Sequence, residues 1–182
     1  DLIINDKEII VALGDGNILW LDINSFNINK LMKVSIKSIR TLSHNENEKK
    51  LFAGSSDNCI YIIDTIKSSV ITKLTGHKNS VFCTSIFNKN KIISGSRDAQ
   101  LASWNMDAQS LDKIVVAHMA TINSLSINPS NNLLATASRD KTIKLWEADT
   151  LKLLKVIEDQ KMPAHQRSVN KILWLDDNYL IS

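Results

Sequence analysis

The stretch LATASRDKTIKLWE, residues 134–147, joins two short apolar runs through a polar turn that carries Asp140. Three other stretches align with it without a gap: IIVALGDGNILWLD at 9–22, LFAGSSDNCIYIID at 51–64 and IISGSRDAQLASWN at 92–105. Their central aspartates are separated by 42, 41 and 42 residues: Asp15, Asp57, Asp98 and Asp140. A fixed period near 42 residues is typical of a β-propeller blade made of four short strands.

The residue types within each unit are those of strands. β-branched and aromatic residues dominate both apolar runs, and small or polar residues separate them, which favours strands joined by tight turns. In the second unit both faces of the run 59–63 are partly apolar, as expected of a sheet stacked between two others. No stretch has the apolar spacing of a helix. The sequence therefore predicts an all-β chain of four-stranded antiparallel sheets.

The period also predicts how the chain is organised. We expect a single propeller segment over 1–182, with a partial blade at 1–34, blades at 35–76, 77–117 and 118–160, and a partial blade at 161–182. The first unit is expected to lack its beginning, and the last to stop inside its second strand. The predicted strands of the three whole units are 38–44, 51–56, 58–64 and 70–74, then 80–87, 91–96, 100–105 and 112–117, then 121–128, 133–138, 142–147 and 152–157.

Composition excludes several classes of protein. No apolar run in the 182 residues exceeds five residues, whereas a membrane span needs about 20, so we expect no membrane insertion. A hydrophobic content of 43% with a net charge of only +3 excludes intrinsic disorder. Two cysteines make no disulfide framework and suit a reducing compartment. The sequence therefore predicts a folded cytoplasmic protein.

Two units carry a fuller set of polar and aromatic residues. Gly76–His77 precedes Ser94, Asp98 and Trp104, and Ala117–His118 precedes Thr136, Asp140 and Trp146. This pattern resembles the WD-repeat (β-transducin repeat) family, and the similarity covers essentially the whole chain. The resemblance implies a buried hydrogen-bonded network in each blade. Its members are a histidine in the entering loop, an aspartate in the turn between the second and third strands, a hydroxyl on the second strand and a tryptophan on the third.

The resemblance also raises the question of the remaining blades. The chain holds about 4.3 periods, fewer than the seven blades usual in this family. We therefore expect about four blades from the C-terminal part of a longer, seven-bladed propeller. The alternative is that two chains share one ring. His165 begins a further copy of the motif, because Ser182 follows it at the same interval that separates Ser94 from His77.

Two units depart from the family pattern. In the second unit, Ala53 and Ile63 stand where the hydroxyl and the tryptophan are expected, and no histidine precedes them at the expected place. In the first unit, Val11 and Leu21 stand at the same two positions. We therefore expect apolar packing alone to hold these two blades together.

The sequence favours no catalytic chemistry. Ser94, His77 and Asp98 make up the residue types of a hydrolase triad. The same set recurs in the next unit with a tryptophan attached, which favours a repeated structural element. The chain contains no CxxC, HxH or HExxH motif. We therefore expect no enzyme activity, no cofactor and no metal.

The family resemblance implies that function resides on the face formed by the inter-blade loops and the second-to-third-strand turns. Expected on this face are Ser56, Lys78, Asn79, Arg97, Met119, Ala120 and Arg139, together with Lys161 and Met162 in a loop that is five residues longer than its counterparts. We expect a non-enzymatic scaffold that binds an unidentified protein or peptide. The alternative is an acidic ligand, a nucleic acid or a phosphoinositide headgroup, bound through Arg97, Arg139 and nearby lysines. Nucleic acid is disfavoured because the lysines are dispersed among acidic residues.

Overall fold

The computed structural model describes residues 1–45, 47–130, 132–158 and 165–182. Over these ranges the chain forms four sheets of four strands and one sheet of two strands, in which neighbouring strands are antiparallel. The predicted all-β fold class is confirmed. Within the same ranges, no helix combines the length and the hydropathy needed to cross a membrane.

Each four-stranded sheet contains consecutive strands in chain order. The first contains β1 Leu2–Ile4, β2 Glu8–Ala12, β3 Asn17–Asp22 and β4 Ile28–Lys33. The second contains β5 Ile39–Asn45, β6 Lys50–Ser55, β7 Cys59–Asp64 and β8 Ser69–Thr75. The third contains β9 Val81–Asn88, β10 Lys91–Ser96, β11 Gln100–Asn105 and β12 Ser110–Val116. The fourth contains β13 Ile122–Ile127, β14 Leu133–Ser138, β15 Ile143–Glu147 and β16 Lys152–Ile157, and the small sheet contains β17 Leu173–Trp174 and β18 Leu180–Ile181.

The strands predicted for the second to fourth units agree with those observed to within two residues at each end. The first sheet begins with a strand that is shorter than the first strands of the other three four-stranded sheets. This strand, β1, pairs with β2 so that Leu2 lies opposite Val11. The sequence missed β1 because three residues are too few to show an alternating pattern.

The turns repeat as regularly as the strands. The residue that follows each central aspartate has a left-handed backbone, with φ of 89° at Gly16, 73° at Asn58, 65° at Ala99 and 75° at Lys141. A second left-handed residue lies in each turn between the third and fourth strands: Phe26, Ser68, Gln109 and Leu151. Only Gly16 has no side chain, and a Cβ there would lie 2.1 Å from the carbonyl oxygen of Ser35. The shared turn conformation therefore follows from the blade geometry and not from glycine at each position.

The residues form two compact units, 1–84 and 85–182, with the boundary inside β9. In the compact unit 1–84, buried side chains of the first and second sheets make one apolar cluster: Ile10, Ile18, Trp20, Ile39, Leu42, Leu51, Ala53 and Ile63. In the compact unit 85–182, an apolar cluster joins the fourth sheet to the segment around β17: Ala135, Ala137, Ile143, Val169 and Ile172. Apolar residues on both faces of the inner strands make this stacking of sheets possible.

Candidate functional site

The fourth sheet contains a complete buried network. Nδ1 of His118 lies 2.9 Å from Oδ2 of Asp140, and Nε2 of His118 lies 2.8 Å from Oγ1 of Thr136. The indole N–H of Trp146 donates to the same Thr136 oxygen at 2.8 Å. A neutral His118 that carries its proton on Nδ1 satisfies this geometry, because Nδ1 donates to the carboxylate while Nε2 accepts from the Thr136 hydroxyl. The structure thus brings together all four side chains that the sequence predicts for this blade.

Asp140 holds two backbone segments together. Its Oδ2 accepts from the amide of Met119 at 2.9 Å, and its Oδ1 accepts from the amide and the hydroxyl of Thr142 at 3.0 and 2.7 Å. Burial raises the pKa of this carboxyl, but the hydrogen bonds from His118, Met119 and Thr142 outweigh burial and hold the pKa well below its usual range. Asp140 is therefore ionised at neutral pH and fixes the entering loop against the turn.

The third sheet has the corresponding residues. Trp104 donates through its indole N–H to Oγ of Ser94 at 2.8 Å, and both side chains are fully buried. Oδ1 of Asp98 accepts from the amide of Gln100 at 2.9 Å. His77 is buried in the unit that comprises residues 1–84. Because no solvent reaches Ser94, no substrate carbonyl can approach its hydroxyl. Ser94 therefore cannot act as the nucleophile of a hydrolase.

The motif copy that begins at His165 also forms a contact. Nε2 of His165 lies 2.7 Å from Oγ of Ser182. His165 is half-buried and Ser182 is exposed. These two residues stand in the positions that His118 and Thr136 occupy in the fourth sheet.

The second sheet corrects the expectation that apolar packing alone holds it. The hydroxyl of Ser35 donates to Oδ2 of Asp57 at 2.9 Å, and the hydroxyl of Tyr61 donates to the same oxygen at 2.5 Å. The hydroxyl of Ser55 donates to Oγ of Ser35 at 3.2 Å. Burial and the hydrogen bond to Asp57 raise the pKa of Tyr61 to about 12. A different set of side chains thus binds the aspartate of the second sheet, Asp57, which is equivalent to Asp140 of the fourth.

A signal for this network was present in the sequence. Ser35 stands 42 residues before His77 and therefore occupies the histidine position of its unit. The family pattern does not predict this network, because a serine stands at the histidine position and Tyr61 lies two residues before the tryptophan position. In the first sheet, Asp15 is bonded locally, with Oδ1 accepting from the amide and Oδ2 from the side-chain amide of Asn17 at 3.0 and 2.6 Å.

The predicted face residues have different surroundings. Arg97, Met119 and Arg139 are exposed on loops at one end of the unit 85–182, and Met119 is 90% exposed. Ala120 is half-buried on the same loop as Met119. Lys161 and Met162 lie outside the described residues.

The predicted face residues of the other unit are Ser56, Lys78 and Asn79. Lys78 and Asn79 are exposed. Ser56 is half-buried, and its hydroxyl accepts from Nε of Arg40 at 2.7 Å. The hydroxyl of Ser56 is therefore already hydrogen-bonded to Arg40.

Backbone hydrogen bonds join the loops at this end of residues 85–182. The amides of Ala117 and His118 donate to the carbonyl of Ala99 at 3.0 and 3.1 Å. The amide of Arg139 donates to the carbonyl of Thr121 at 2.9 Å, and the amide of Val169 donates to the carbonyl of Ser138 at 3.0 Å. Each inter-sheet loop is therefore bonded to a neighbouring turn, and the backbone from which Arg97, Met119 and Arg139 project is fixed.

The unit 1–84 contains a cavity that the sequence did not indicate. Its volume is about 410 Å³, and its lining includes Lys7, Glu8, Asp22, His44 and Lys49. The lining mixes cations with acids, so the cavity presents no single sign of charge. In the part of the chain that the structure describes, no three His, Cys, Asp or Glu side chains are grouped so that they could hold a metal ion.

Comparison with known proteins identifies the repeat. The model of the WD domain, G-beta repeat, matches residues 68–105 and 110–147. The p21-activated protein kinase-interacting protein 1-like of Gallus gallus is 31% identical over 100 residues, which are 55% of this chain and 27% of that protein. The WD repeat domain-containing protein 83 homolog of Dictyostelium discoideum is 27% identical over 144 residues, which are 78% of this chain and 44% of that protein.

A second protein of Dictyostelium discoideum, the WD repeat-containing protein 55 homolog, is 26% identical over 144 residues, or 79% of this chain and 35% of that protein. The chain thus spans between about a quarter and less than half of the length of these three relatives. The chain therefore contains two WD repeats of the G-beta type, at 68–105 and 110–147, and WD-repeat proteins are among its relatives.

Proposed function

We propose that this chain is part of a non-enzymatic scaffold that binds another protein or a peptide through the loops carrying Arg97, Met119 and Arg139. One observation carries the proposal. The side chain of Met119 is 90% exposed, while its backbone amide is fixed by the half-buried carboxylate of Asp140. An apolar side chain that is held out to solvent on a rigid loop is suited to contact a partner.

The residue types support a protein partner. Methionine and arginine are both enriched in protein–protein interfaces, and arginine is frequent among the residues that dominate binding energy. Loops that are already bonded to their neighbours lose little conformational freedom when a partner binds, which lowers the entropic cost of association. Arg139 meets this condition, because its amide is bonded to the carbonyl of Thr121.

The relatives support the same class of function. The related protein of Gallus gallus is named as interacting with p21-activated protein kinase. That name concerns the relative, and the chain covers only 27% of it. We therefore carry over the class of partner, a protein, and not the kinase.

We also propose a reducing compartment such as the cytoplasm as the site of action. Cys59 and Cys83 are both buried. Burial raises the pKa of the Cys59 thiol, so that this residue stays a protonated, unreactive thiol at neutral pH.

Site-specific crosslinking of the intact protein in cells tests the proposed face. A photoreactive residue in place of Met119 is expected to form a crosslink with a second protein, which appears as a shifted band in denaturing electrophoresis. The matched control is the same residue in place of Ala108, which is exposed in the turn at the opposite end of the third sheet. Crosslinks at both positions alike, or at Ala108 only, would show that the loops around Met119 are not the binding face.

A further inference from the structure

The two ends of the unit 85–182 carry opposite charges. The end formed by the inter-sheet loops and the second-to-third-strand turns has four exposed cations: Arg97, Arg139, Lys141 and Arg167. We call these four residues and Met119 the arginine face. The opposite end carries five exposed acids, Asp107, Glu147, Asp149, Asp176 and Asp177, together with the exposed lysines Lys89 and Lys152. Antiparallel strands place alternate turns at opposite ends of a sheet, so the cations and the acids are separated because the sequence places them in alternate turns.

The described acids close to the arginine face form no ion pair with its four cations. Asp140 lies between Arg139 and Lys141 in sequence, but its oxygens accept from His118, the Met119 amide and Thr142. Asp98 and Glu158, at the same end, are half-buried. Among the described residues, Arg97, Arg139, Lys141 and Arg167 form no ion pair. Their charges are therefore available to a ligand.

The opposite end shows the contrast. Lys91 is half-buried and lies 2.7 Å from Oδ1 of Asp149, and Lys113 donates to the carbonyl of Thr150 at 2.5 Å. There, Lys91 and Lys113 join the third and fourth sheets. The cations of the arginine face have no such role.

From this arrangement we propose that the ligand of the arginine face is an acidic peptide segment that carries an apolar side chain. Its carboxylates would pair with Arg97 and Arg139, whose planar guanidinium groups can each donate two parallel hydrogen bonds to a carboxylate. Its apolar side chain would pack against Met119. This inference rests on the proposed function, because it specifies the partner of the same face.

The residue types at the face favour a peptide over a nucleic acid. Proteins that bind single strands place aromatic side chains where bases can stack. The tryptophans Trp104 and Trp146 are buried, and Tyr179, which is exposed, lies in the turn at the acidic end. The arginine face thus offers a flexible thioether, which adapts to aliphatic side chains, in place of a stacking platform.

Fluorescence anisotropy with the intact protein tests this inference. The probe is a fluorescein-labelled peptide of about twelve residues, glutamates around two central leucines, of the length that an extended recognition segment uses. We expect Arg97→Glu with Arg139→Glu to weaken binding by about tenfold or more, since each tenfold corresponds to about 1.4 kcal/mol. The matched control is Lys89→Glu with Lys152→Glu at the acidic end, which should change binding by less than about twofold.

A second comparison isolates the apolar contact. We expect Met119→Ser to weaken binding of the leucine peptide by about threefold or more, and to leave a peptide with serines in place of the leucines unaffected. Unchanged affinity in the Arg97/Arg139 variant, or equal effects of Met119→Ser on both peptides, would overturn the inference. Tighter binding of a twelve-nucleotide thymidine strand than of the leucine peptide would also overturn it and indicate a nucleic-acid ligand.

The crosslinking experiment separates this inference from the proposed function. If Met119 crosslinks to a protein in cells while the acidic peptide does not bind, the face is correct and the inferred chemistry of the partner is wrong. If neither the crosslink nor peptide binding occurs, both proposals fail.

Discussion

The backbone amide of Met119 donates a hydrogen bond to Oδ2 of Asp140, the same oxygen that lies 2.9 Å from Nδ1 of His118. One carboxylate therefore joins the buried interior of the fourth sheet to an exposed loop. A change in the interior network should thus affect both the stability of the blade and the position of a residue that we assign to the binding face.

Removing His118 should destabilise the protein. His118→Ala removes one hydrogen-bond partner from Asp140 and one from Thr136, and a lost buried partner of this kind costs about 1–3 kcal/mol. Denaturant unfolding of the wild type and the variant measures the loss. His165→Ala is the matched control, because that histidine is only half-buried and should cost less. Equal unfolding midpoints for His118→Ala and wild type would contradict the structural role of the network.

The contribution of Asp140 should depend on pH. Its pKa in the folded protein lies below the unfolded value, so the folded state favours the ionised carboxylate. The stability from this group is therefore fully present above the unfolded pKa of about 3.9 and is lost as the pH falls through the folded pKa. Thermal unfolding of wild type and Asp140→Asn should show a gap at neutral pH that narrows below about pH 4. A gap of constant size down to pH 2 would show that the charge of Asp140 contributes nothing.

The network of the second sheet should contribute measurably as well. Tyr61→Phe removes the hydroxyl that donates to Asp57 and should lower the free energy of unfolding by about 1–2 kcal/mol, because the acceptor is charged. Tyr61 should ionise near pH 12, and this late step in the ultraviolet absorbance titration should disappear in Tyr61→Phe. Tyr179→Phe, which alters an exposed tyrosine, is the control for stability. Equal stabilities of the two variants would mean that apolar packing alone holds this sheet.

Two glycines of one turn provide a matched pair. A Cβ at Gly16 would approach the carbonyl oxygens of Ser35 and Lys37 to 2.1 and 2.6 Å, and its φ is 89°. A Cβ at Gly14 would be 3.9 Å from its nearest neighbour, Oγ of Ser38. Gly16→Ala should therefore lower stability by about 2 kcal/mol or more, while Gly14→Ala should change it by less than about 1 kcal/mol. Similar losses in both variants would contradict the turn geometry described for Gly16.

The residue after the third aspartate offers a stabilising change. Ala99 has a φ of 65°, a conformation that costs a residue with a side chain about 1 kcal/mol or more. Ala99→Gly should therefore raise the free energy of unfolding by several tenths of a kcal/mol, after the greater backbone entropy of glycine is taken into account. The equivalent change at an ordinary backbone position, Ala108→Gly, should lower stability. A loss of stability in Ala99→Gly would show that the turn relaxes without strain.

The sequence alone determined the all-β class, the period and almost every strand of the second to fourth units. These features depend on residues close together along the chain, since a strand is marked by its own alternation and a turn by its own small residues. The resemblance to the WD-repeat family, and not the period alone, then implies that His118, Asp140 and Trp146 belong to one network. The short strand β1 escaped detection because its pairing with β2, and not its three residues, makes it a strand.

Only the tertiary structure decided which polar groups anchor the second sheet and which charges remain available. Ser35 reaches Asp57 because folding brings a loop 22 residues away against the turn, and Tyr61 reaches it from the strand that follows the turn. No family pattern marks a serine or a tyrosine at those places. Asp140 is next to Arg139 in the sequence and could have formed an ion pair with it. In the folded chain, however, an oxygen of Asp140 contacts His118 and the amide of Met119 instead. Burial and hydrogen-bond geometry are properties of the packed chain, and they distinguish an aspartate that supports the fold from an arginine that is available to a partner.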